Sequence, residues 1–381
     1  MQALPEAQRL ELVKLLALHQ KCTEEKQDRH KNFGPRLNIS SLEYFLLFTS
    51  SYALVGILTP LIRRIAISKN ILDRPDSTHK SHTSPTPYLG GVAITIGVLI
   101  ITYGALIMSG AEANNFWLAT SLLGPAVAIG VIGLWDDINN LHPLPRFIGQ
   151  SIAGLVVASI LVLTSNLGNP TGSTLLDVVI TILWIVGICN SINFFDNLDG
   201  GAAGTTAISA IAISILTLSN GQTFLAALSL VVAGATLGFL IWNKSPARIY
   251  MGDAGALFLG VLIATLGIRL NPETQTQLAS FATPVLLLAI PILDTCVAVF
   301  SRIQRAISPF KGGQDHLSHR LLRCGLSRKK AAISLWSLSA LFGSLSVILT
   351  MVNKNLESYI VITSCLIWLV LFIGFSRTAH E

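Results

Sequence analysis

Side chains that can bind metal ions, phosphate or sugar are concentrated in five short stretches of this 381-residue chain. Each stretch follows a long apolar run, and together they hold paired acids, spaced acids, amides and histidines. Such side chains, gathered in one place, would suit a negatively charged substrate held by a divalent cation. The stretches are LDRPDSTHKSHTSPTPYLGG (72–91), GLWDDINNLHPLPR (133–146), NSINFFDNLDGG (190–201), WNKSPARIYMGDAGA (242–256) and PFKGGQDHLSHRLLRCGLSRKKA (309–331).

Five aspartates in the middle three stretches are candidates for catalysis or metal binding. Asp136 and Asp137 are adjacent, so their repulsion would ease beside a divalent ion or a basic substrate group. Asp196 and Asp199 are three residues apart and would share a face if the preceding helix continued through them. Asp253 begins an apolar run, where it can either cap a helix or hold a metal near the helix N-terminus. Any one of these acids alone could simply cap a helix or face water.

Magnesium is the cofactor that this set of oxygen donors favours. Mg²⁺ commonly takes one or two carboxylates together with substrate phosphates. Asn190 and Asn193 place amides beside the acids, and Lys80 offers a point charge on a flexible stem for a phosphate contact. We therefore expect a metal-bound diphosphate, with Mg²⁺ as the ion and Mn²⁺ as the alternative.

The fifth stretch contains an HxxH pattern, in which Asp315 precedes His316 and Arg320 follows His319. This spacing can bind zinc, but no cysteine or third histidine nearby completes a set of four ligands. Two alternatives stay open. The stretch is either a solvated basic loop or a hairpin that contacts phosphate or sugar, with histidine as a donor near neutral pH.

Two residues of the fourth stretch also allow two interpretations. Tyr250 can be an aromatic anchor at a membrane interface. In a nucleotide site its ring would instead stack on a base, and Asn243 would hydrogen-bond the edge of that base. The sequence does not separate these alternatives.

The composition places these stretches in a membrane protein. Hydrophobic residues make up 51% of the chain and charged residues only 12%, against about a quarter in soluble domains. The net charge is +6, and we interpret the basic residues as topology signals rather than as a nucleic-acid surface. The five cysteines show no CxxC pair, which argues against a disulfide framework or a zinc site.

Apolar runs of roughly 20 residues, the length needed to cross a bilayer, recur along the chain. We therefore predict an all-α polytopic integral membrane protein with about 11 transmembrane helices. Residues 1–41 form a polar N-terminal extension, and residues 42–376 form a single transmembrane domain. The predicted segments are 42–65, 88–109, 116–134, 147–166, 174–192, 201–219, 222–242, 254–270, 280–302, 329–352 and 356–376.

The loops after the odd-numbered segments hold nearly all the lysine and arginine of the loops, and they hold all five polar stretches. Positively charged loops favour the cytoplasm. We therefore predict a plasma (inner) membrane protein with its active site and its C-terminus on the cytoplasmic side. The N-terminal arm carries several Lys and Arg and yet falls on the outer side in this arrangement.

The five stretches resemble, in order and spacing, the motifs of the polyprenyl-phosphate N-acetylhexosamine-1-phosphate transferases (glycosyl transferase family 4). The resemblance runs from about residue 72 to 330 and rests on DRPDSTHKSH…PYLGG, GLWDDINNL, NSINFFDNLDGGAAG, NKSPARIYMGDAGALFLG and DHLSHRLLRCGLS. It implies transfer of a sugar 1-phosphate, N-acetylglucosamine 1-phosphate first of all, from a UDP-sugar to polyprenyl (undecaprenyl) phosphate. UMP would be released, in the first membrane step of cell-envelope glycan synthesis.

The resemblance also implies roles for single residues. Asp253 would be the magnesium ligand, assisted by Asp137. Asp136 and Asp137 look like the paired aspartates of the family, one of which deprotonates or binds the lipid phosphate. The resemblance further implies a nucleotide loop (Asn193, Asp196, Asp199), a uracil contact (Tyr250, Asn243), a diphosphate contact (Lys80) and a sugar-recognition loop (His316, His319). Asn190 and Arg320, which stand beside these residues, are further candidate substrate contacts.

At one position the chain departs from the family pattern. The commoner motif is His-x-His-His, whereas Ser318 here precedes His319. The departure leaves the sugar open, including another UDP-N-acetylhexosamine, and weighs against the branch that uses UDP-N-acetylmuramoyl-pentapeptide. A secondary transporter is the distant alternative, but it predicts acids inside the segments and on both sides. The expected partners are a UDP-sugar, the lipid phosphate and the membrane, with no nucleic acid; a homodimer is left open.

Overall fold

The computed structural model describes residues 39–73, 85–139, 141–164, 171–308 and 313–378. Nearly all of the predicted N-terminal extension and the whole of the segment around Lys80 lie outside these ranges. The predictions made for them therefore stay predictions.

The described chain is almost entirely helical, as expected. Most helices are long and apolar, and α11, with seven residues, is the shortest of those described. The thirteen helices in the described ranges are α1 (Ser41–Ser68), α2 (Gly90–Met108), α3 (Ala113–Asn139), α4 (Pro143–Leu163), α5 (Thr174–Phe195), α6 (Gly201–Ser219), α7 (Thr223–Asn243), α8 (Gly252–Arg269), α9 (Gln277–Leu287), α10 (Ala289–Gln304), α11 (Leu317–Arg323), α12 (Arg328–Leu349) and α13 (Lys354–Arg377).

Ten of these helices are long and apolar enough to cross a membrane, and the bent pair α9–α10 brings the number to eleven when it is taken as one broken span. They match the eleven predicted segments, so the polytopic fold is confirmed. The ninth segment is broken by 75° near Leu288. Pro291 has no N–H to donate to the Leu287 carbonyl, which would be its helical acceptor. That carbonyl instead accepts a hydrogen bond of 2.7 Å from the Ser209 hydroxyl.

Helix α8 lies at the centre of the bundle and packs against α2, α3 and α5. Glycines allow the close approach of its first turn. A Cβ on Gly91 of α2 would overlap the backbone of Gly255, and a Cβ on Gly133 of α3 would overlap the backbone of Asp253. The N-terminus of α8 is therefore held directly against two neighbouring helices.

A small two-stranded antiparallel sheet closes the same end of the bundle. Strand β1 (Leu72–Asp73) pairs with β2 (Thr86–Pro87), with Leu72 opposite Pro87. The chain after β2 then bonds to the segment before α8, because the Tyr250 N–H donates to the Pro87 carbonyl at 2.9 Å. The segments that follow α1 and α7 are thus tied together at this end.

Candidate active site

The five polar stretches meet at one cavity of about 520 Å³ at this end of the bundle. Each stretch contributes at least one lining residue, so the predicted convergence of the odd-numbered loops is observed. The lining residues are Asp73, Tyr88, Asp136, Asp137, Leu141, Arg146, Asn193, Asp196, Asn197, Leu198, Asp199, Asn243, Tyr250, Gly252, Asp253 and His319.

Asp137, at the end of α3, caps the N-terminus of α8. Its two carboxylate oxygens accept hydrogen bonds from the backbone N–H groups of Asp253 at 2.8 Å and Ala254 at 3.0 Å. Free N–H groups at a helix N-terminus favour a negative charge, so this arrangement stabilises α8. The sequence left open whether Asp253 caps this helix. The structure shows that Asp137 caps it from outside, which leaves the Asp253 side chain directed to other partners.

Arg146 joins the two acids Asp136 and Asp253 at the cavity wall. Its guanidinium contacts the Asp136 carboxylate at 2.6 Å and also pairs with the Asp253 carboxylate. The Asn193 side-chain amide donates to the other oxygen of Asp253 at 2.7 Å. Two carboxylates from different helices therefore share one cationic group, at a place where a metal ion would meet the same oxygen donors.

Asp196 differs from the other acids of the cavity. Within the described ranges its carboxylate has no hydrogen bond or ion pair, and only its backbone N–H is bonded. Helix α5 ends at Phe195, so Asp196 does not share a helix face with Asp199 as an extended helix would require. Burial, and then the charges of Asp253 and Asp137, raise the pKa of Asp196 well above 3.8. A buried carboxylate without a partner is stabilised when a cation or a hydrogen-bond donor binds to it.

Asp199 and Asn243 brace the loop between α5 and α6. The Asp199 carboxylate accepts from the Ala247 N–H at 3.2 Å. The buried Asn243 amide accepts from the Gly200 N–H and donates to the Ile249 carbonyl, both at 3.0 Å. Gly200 has φ of 75°, a left-handed conformation that glycine adopts without strain. Both side chains border the cavity, and both fix its backbone walls.

Two tyrosines form another wall. Tyr88 and Tyr250 are bridged through their backbones and both line the cavity. Burial raises the pKa of both phenols above 10, with nearby aspartates adding to the shift. Of the two interpretations of Tyr250, its position beside the acids agrees with a ligand contact better than with an interface anchor.

The histidine segment, residues 313–323, reaches the cavity through His319 alone. Burial, followed by the proximity of His316, lowers the pKa of His319 from 6.5 to about 4. Its ring is therefore neutral near pH 7. His316 is buried behind it, with ring centroids 6.3 Å apart.

Three predicted substrate contacts are not brought to the cavity. Asn190 donates to Gln150 at 2.6 Å inside the bundle. His316 is bonded to Asp294 at 2.7 Å. Arg320 is fully buried, and its guanidinium donates to the carbonyls of Phe375 and Thr378 at the end of α13. Each of these three side chains is thus bonded to a different part of the protein and not to the cavity, as expected of polar groups inside a packed bundle. Lys80 lies outside the described residues.

Three further residues border or support the site, and the sequence reasoning did not select them. The sequence analysis left Arg146 in a loop between two predicted segments, whereas it lies in the first turn of α4. Nothing in its local pattern showed that it would join two acids. Asn197 lies within the third stretch and accepts a hydrogen bond from Ser318. Asp294 was detectable, because a single acid inside an apolar span is costly and usually functional.

The oxygen donors of the cavity fit a magnesium ion that is shared with a substrate. Asp136, Asp253 and Asp196 present carboxylate oxygens, the ligand type that Mg²⁺ prefers. In the described part of the chain no three acidic, histidine or cysteine side chains are grouped closely enough to hold an ion by themselves. The arrangement therefore suits an ion that takes one or two protein carboxylates and completes its shell with phosphate oxygens and water.

Comparison with known proteins gives concordant matches. The profile of the family described as Glycosyl transferase family 4 matches residues 119–271. The chain is 34% identical over 338 residues to a Bacillus subtilis protein, covering 86% of this chain and 87% of that protein. That protein is named probable undecaprenyl-phosphate N-acetylglucosaminyl 1-phosphate transferase.

Two further relatives show the range of the similarity. A decaprenyl-phosphate N-acetylglucosaminephosphotransferase of Mycolicibacterium smegmatis is 35% identical over 297 residues, which are 70% of this chain and 73% of that protein. A phospho-N-acetylmuramoyl-pentapeptide-transferase of Staphylococcus carnosus is 32% identical over 259 residues, which are 62% of this chain and 78% of that protein.

Proposed function

This chain belongs to glycosyl transferase family 4, and from that premise we propose that it transfers N-acetylglucosamine 1-phosphate from UDP-N-acetylglucosamine to a polyprenyl phosphate, releasing UMP. The observation that carries the proposal is the cavity at one end of the membrane bundle, where Arg146 lies between Asp136 of α3 and Asp253 of α8. The two relatives with the highest identity given above are named as transferases of this kind.

The reaction joins a phosphate oxygen of the lipid to the phosphorus that carries the sugar. The bond from that phosphorus to the oxygen of UMP breaks, and UMP leaves with the electron pair. A monoester phosphate is already largely ionised near pH 7, so the nucleophile needs little help from a general base. The protein must instead bring two anions together, and for this it needs positive charge at the cavity.

Arg146 supplies positive charge from the chain itself. Its guanidinium lies between Asp136 and Asp253 and can bind phosphate oxygens once it releases one carboxylate. When bound, Mg²⁺ would neutralise the diphosphate and the leaving oxygen. The residues that would hold it are Asp253 and Asp136. Asp137, the second ligand expected from the sequence, already accepts two backbone N–H groups of α8. Asn193 keeps Asp253 in place through its 2.7 Å hydrogen bond. Asp196, which has no partner among the described residues, is available to the ion or to a substrate hydroxyl.

The position of the cavity explains why the reaction belongs at a membrane edge. The apolar tail of the lipid stays among the spanning helices while its phosphate reaches the cavity, and the UDP-sugar arrives from water. The loops that form the cavity carry most of the basic residues, which favours the cytoplasmic side of the plasma membrane. Cys324 is exposed beside the histidine segment. An impermeant maleimide should therefore label it in inverted membrane vesicles and not in intact cells.

The second candidate is the same chemistry with a different UDP-sugar. Because of the similarity to the Staphylococcus carnosus enzyme, a UDP-N-acetylmuramoyl-pentapeptide is the alternative substrate to test. Ser318 in place of a histidine bears on the same choice, because its hydroxyl is bonded to Asn197 of the cavity wall. A secondary transporter receives no support from the relatives, whose names all describe transferases.

The test uses the purified protein in lipid nanodiscs with undecaprenyl phosphate and radiolabelled UDP-N-acetylglucosamine. We expect label in the lipid and equimolar UMP, loss of both with EDTA, and recovery with Mg²⁺ or Mn²⁺. Parallel assays with UDP-N-acetylgalactosamine and with UDP-N-acetylmuramoyl-pentapeptide show which UDP-sugar the protein uses. Absence of lipid label with all three donors, from protein that elutes as a single folded species, would overturn the proposal.

A further inference from the structure

We propose that Asp294, inside the broken ninth span, is a positioning residue that fixes the histidine segment so that His319 faces the reaction cavity. The inference rests on the proposed function, since it assigns to the His319 side chain a place at the bound substrate. Asp294 itself does not line the cavity, and it would act through His316 and the backbone of α11.

Asp294 is completely buried in α10, and both of its oxygens bond to the histidine segment. One oxygen accepts the Leu317 N–H at 2.7 Å, and the other contacts Nδ1 of His316 at 2.7 Å. Leu317 is the first residue of α11, and the preceding His316 provides no side-chain cap. The carboxylate therefore caps α11 from a different helix, as Asp137 caps α8.

The partners of His316 determine which ring nitrogen carries the proton. Nε2 lies 3.3 Å from a guanidinium nitrogen of Arg302. Arginine can only donate, so Nε2 must accept, and Nδ1 must donate to Asp294. Arg302 is fixed in turn by the Asp315 carboxylate at 3.1 Å. The ring is thus held between an acid and an arginine in one tautomer and one orientation.

Two other contacts hold the segment from its sides. The Ser318 hydroxyl donates to the Asn197 side chain at 2.5 Å, and Arg320 donates to the Phe375 carbonyl at 2.7 Å. His316 and Arg320 are bonded away from the cavity and Ser318 is bonded to Asn197 of its wall, so His319 is the side chain of the histidine segment that lines the cavity. The direction of His319 therefore depends on an anchor formed by residues that do not touch substrate.

An acid within an apolar span is costly unless its partners compensate for its burial. Within the described ranges, both hydrogen-bond partners of the Asp294 carboxylate belong to the histidine segment, and each of its oxygens is used there. A role limited to packing of the spans would not require this acid. The position of this buried acid is explained if its carboxylate holds the histidine segment in place.

The test compares Asp294→Asn with Glu357→Gln. Glu357 is an equally buried acid that joins α13 to the loop before α9, because it accepts from the Gln275 N–H and the Thr276 hydroxyl, both at 2.7 Å. It lies outside the cavity lining, so it reports the cost of losing a buried carboxylate elsewhere in the bundle. An asparagine at 294 retains an acceptor for Leu317 N–H but can present its amide N–H to Nδ1 of His316.

We expect Asp294→Asn to lower kcat/KM for the UDP-sugar tenfold or more. The kcat/KM of Glu357→Gln should stay within about twofold of wild type, although both variants lose the same amount of melting temperature. Solid-state NMR of ¹⁵N-histidine protein, with His316 assigned by His316→Gln, should show its proton moving from Nδ1 to Nε2. The double variant Asp294→Asn/Arg302→Gln should recover part of the lost activity, because glutamine can accept from Nε2–H.

An unchanged His316 tautomer in Asp294→Asn, or an equal loss of activity in both single variants, would overturn the role of Asp294. The NMR measurement does not depend on turnover. If wild-type protein transfers no sugar but its His316 tautomer responds as expected, the proposed function fails and the anchor stands.

Discussion

Asp137 and Asp196 line the same cavity but differ in their partners, and their amide variants should therefore differ in stability. The Asp137 carboxylate accepts two N–H groups of the first turn of α8. In Asp137→Asn the single amide oxygen retains one of them, and the other meets an NH₂ donor. The Asp196 carboxylate accepts none within the described ranges, so Asp196→Asn removes charge without removing a hydrogen bond.

The expected loss for Asp137→Asn follows from these contacts. One hydrogen bond to a charged group contributes about 1.5–3 kcal/mol to the free energy of unfolding. This loss, at about 2–3 °C per kcal/mol, lowers Tm by roughly 3–9 °C.

Asp196→Asn should leave Tm unchanged or raise it. The pKa of Asp196 is raised in the folded state, so the folded protein holds this proton more tightly than the unfolded chain does. The destabilisation that Asp196 causes therefore begins as pH rises above 3.8, the unfolded value, and grows until pH passes the raised pKa. The amide variant should lack that part of the pH dependence.

Thermal unfolding in detergent, followed by tryptophan fluorescence and by size-exclusion chromatography, measures both Tm values. Turnover is measured on the same samples, and we expect both variants to release little UMP. A Tm for Asp137→Asn equal to that of wild type would refute its role as the cap of α8. A Tm for Asp196→Asn lowered as far as that of Asp137→Asn would refute the contrast between the two acids.

Three other perturbations have defined outcomes. Gly91→Ala places a Cβ against the backbone of Gly255 and should prevent recovery of monodisperse protein, whereas Gly104→Ala, with nothing within 4 Å, should purify like wild type. The folded pKa of His319, about 4 against 6.5, predicts that Tm falls as pH is lowered from 6.5 towards 4, and His319→Gln should flatten that fall. Arg146→Gln removes the cation between Asp136 and Asp253. Substrate-free protein should then bind Mn²⁺ about tenfold more tightly, as measured by EPR. Tenfold corresponds to roughly 1.5 kcal/mol, the Coulomb repulsion in water between Mn²⁺ and the guanidinium that is removed.

The spans and the convergence of the polar stretches were predictable because they depend on length, hydropathy and the alternation of loops. A run of about twenty apolar residues crosses the bilayer whatever its detailed packing, and alternate loops must then lie on the same side. This reasoning placed Asp136, Asp196 and Asp253 at one end, where the structure has them. It could not locate the bend at Leu288, which depends on Pro291 together with the Ser209 hydroxyl of another helix.

Individual side-chain directions were less predictable, because they depend on partners far away in sequence. Asn190 and Arg320 stood in stretches rich in site residues, yet each is bonded to groups that only the packed bundle brings near. Arg146 was missed for the converse reason, since its two acidic partners come from α3 and α8. Asp294 could have been selected as an isolated acid in an apolar run.

The bonds from Arg320 to the carbonyls of Phe375 and Thr378 have a consequence for biogenesis. Those acceptors are synthesised more than fifty residues after Arg320, so these two bonds cannot form while the ribosome is still making α12 and α13. The spans that precede them can enter the membrane during translation, but the histidine segment can lock only after the last helix has been integrated. A nascent chain therefore cannot complete its site early, and enzyme activity should follow release from the ribosome rather than insertion of the first spans.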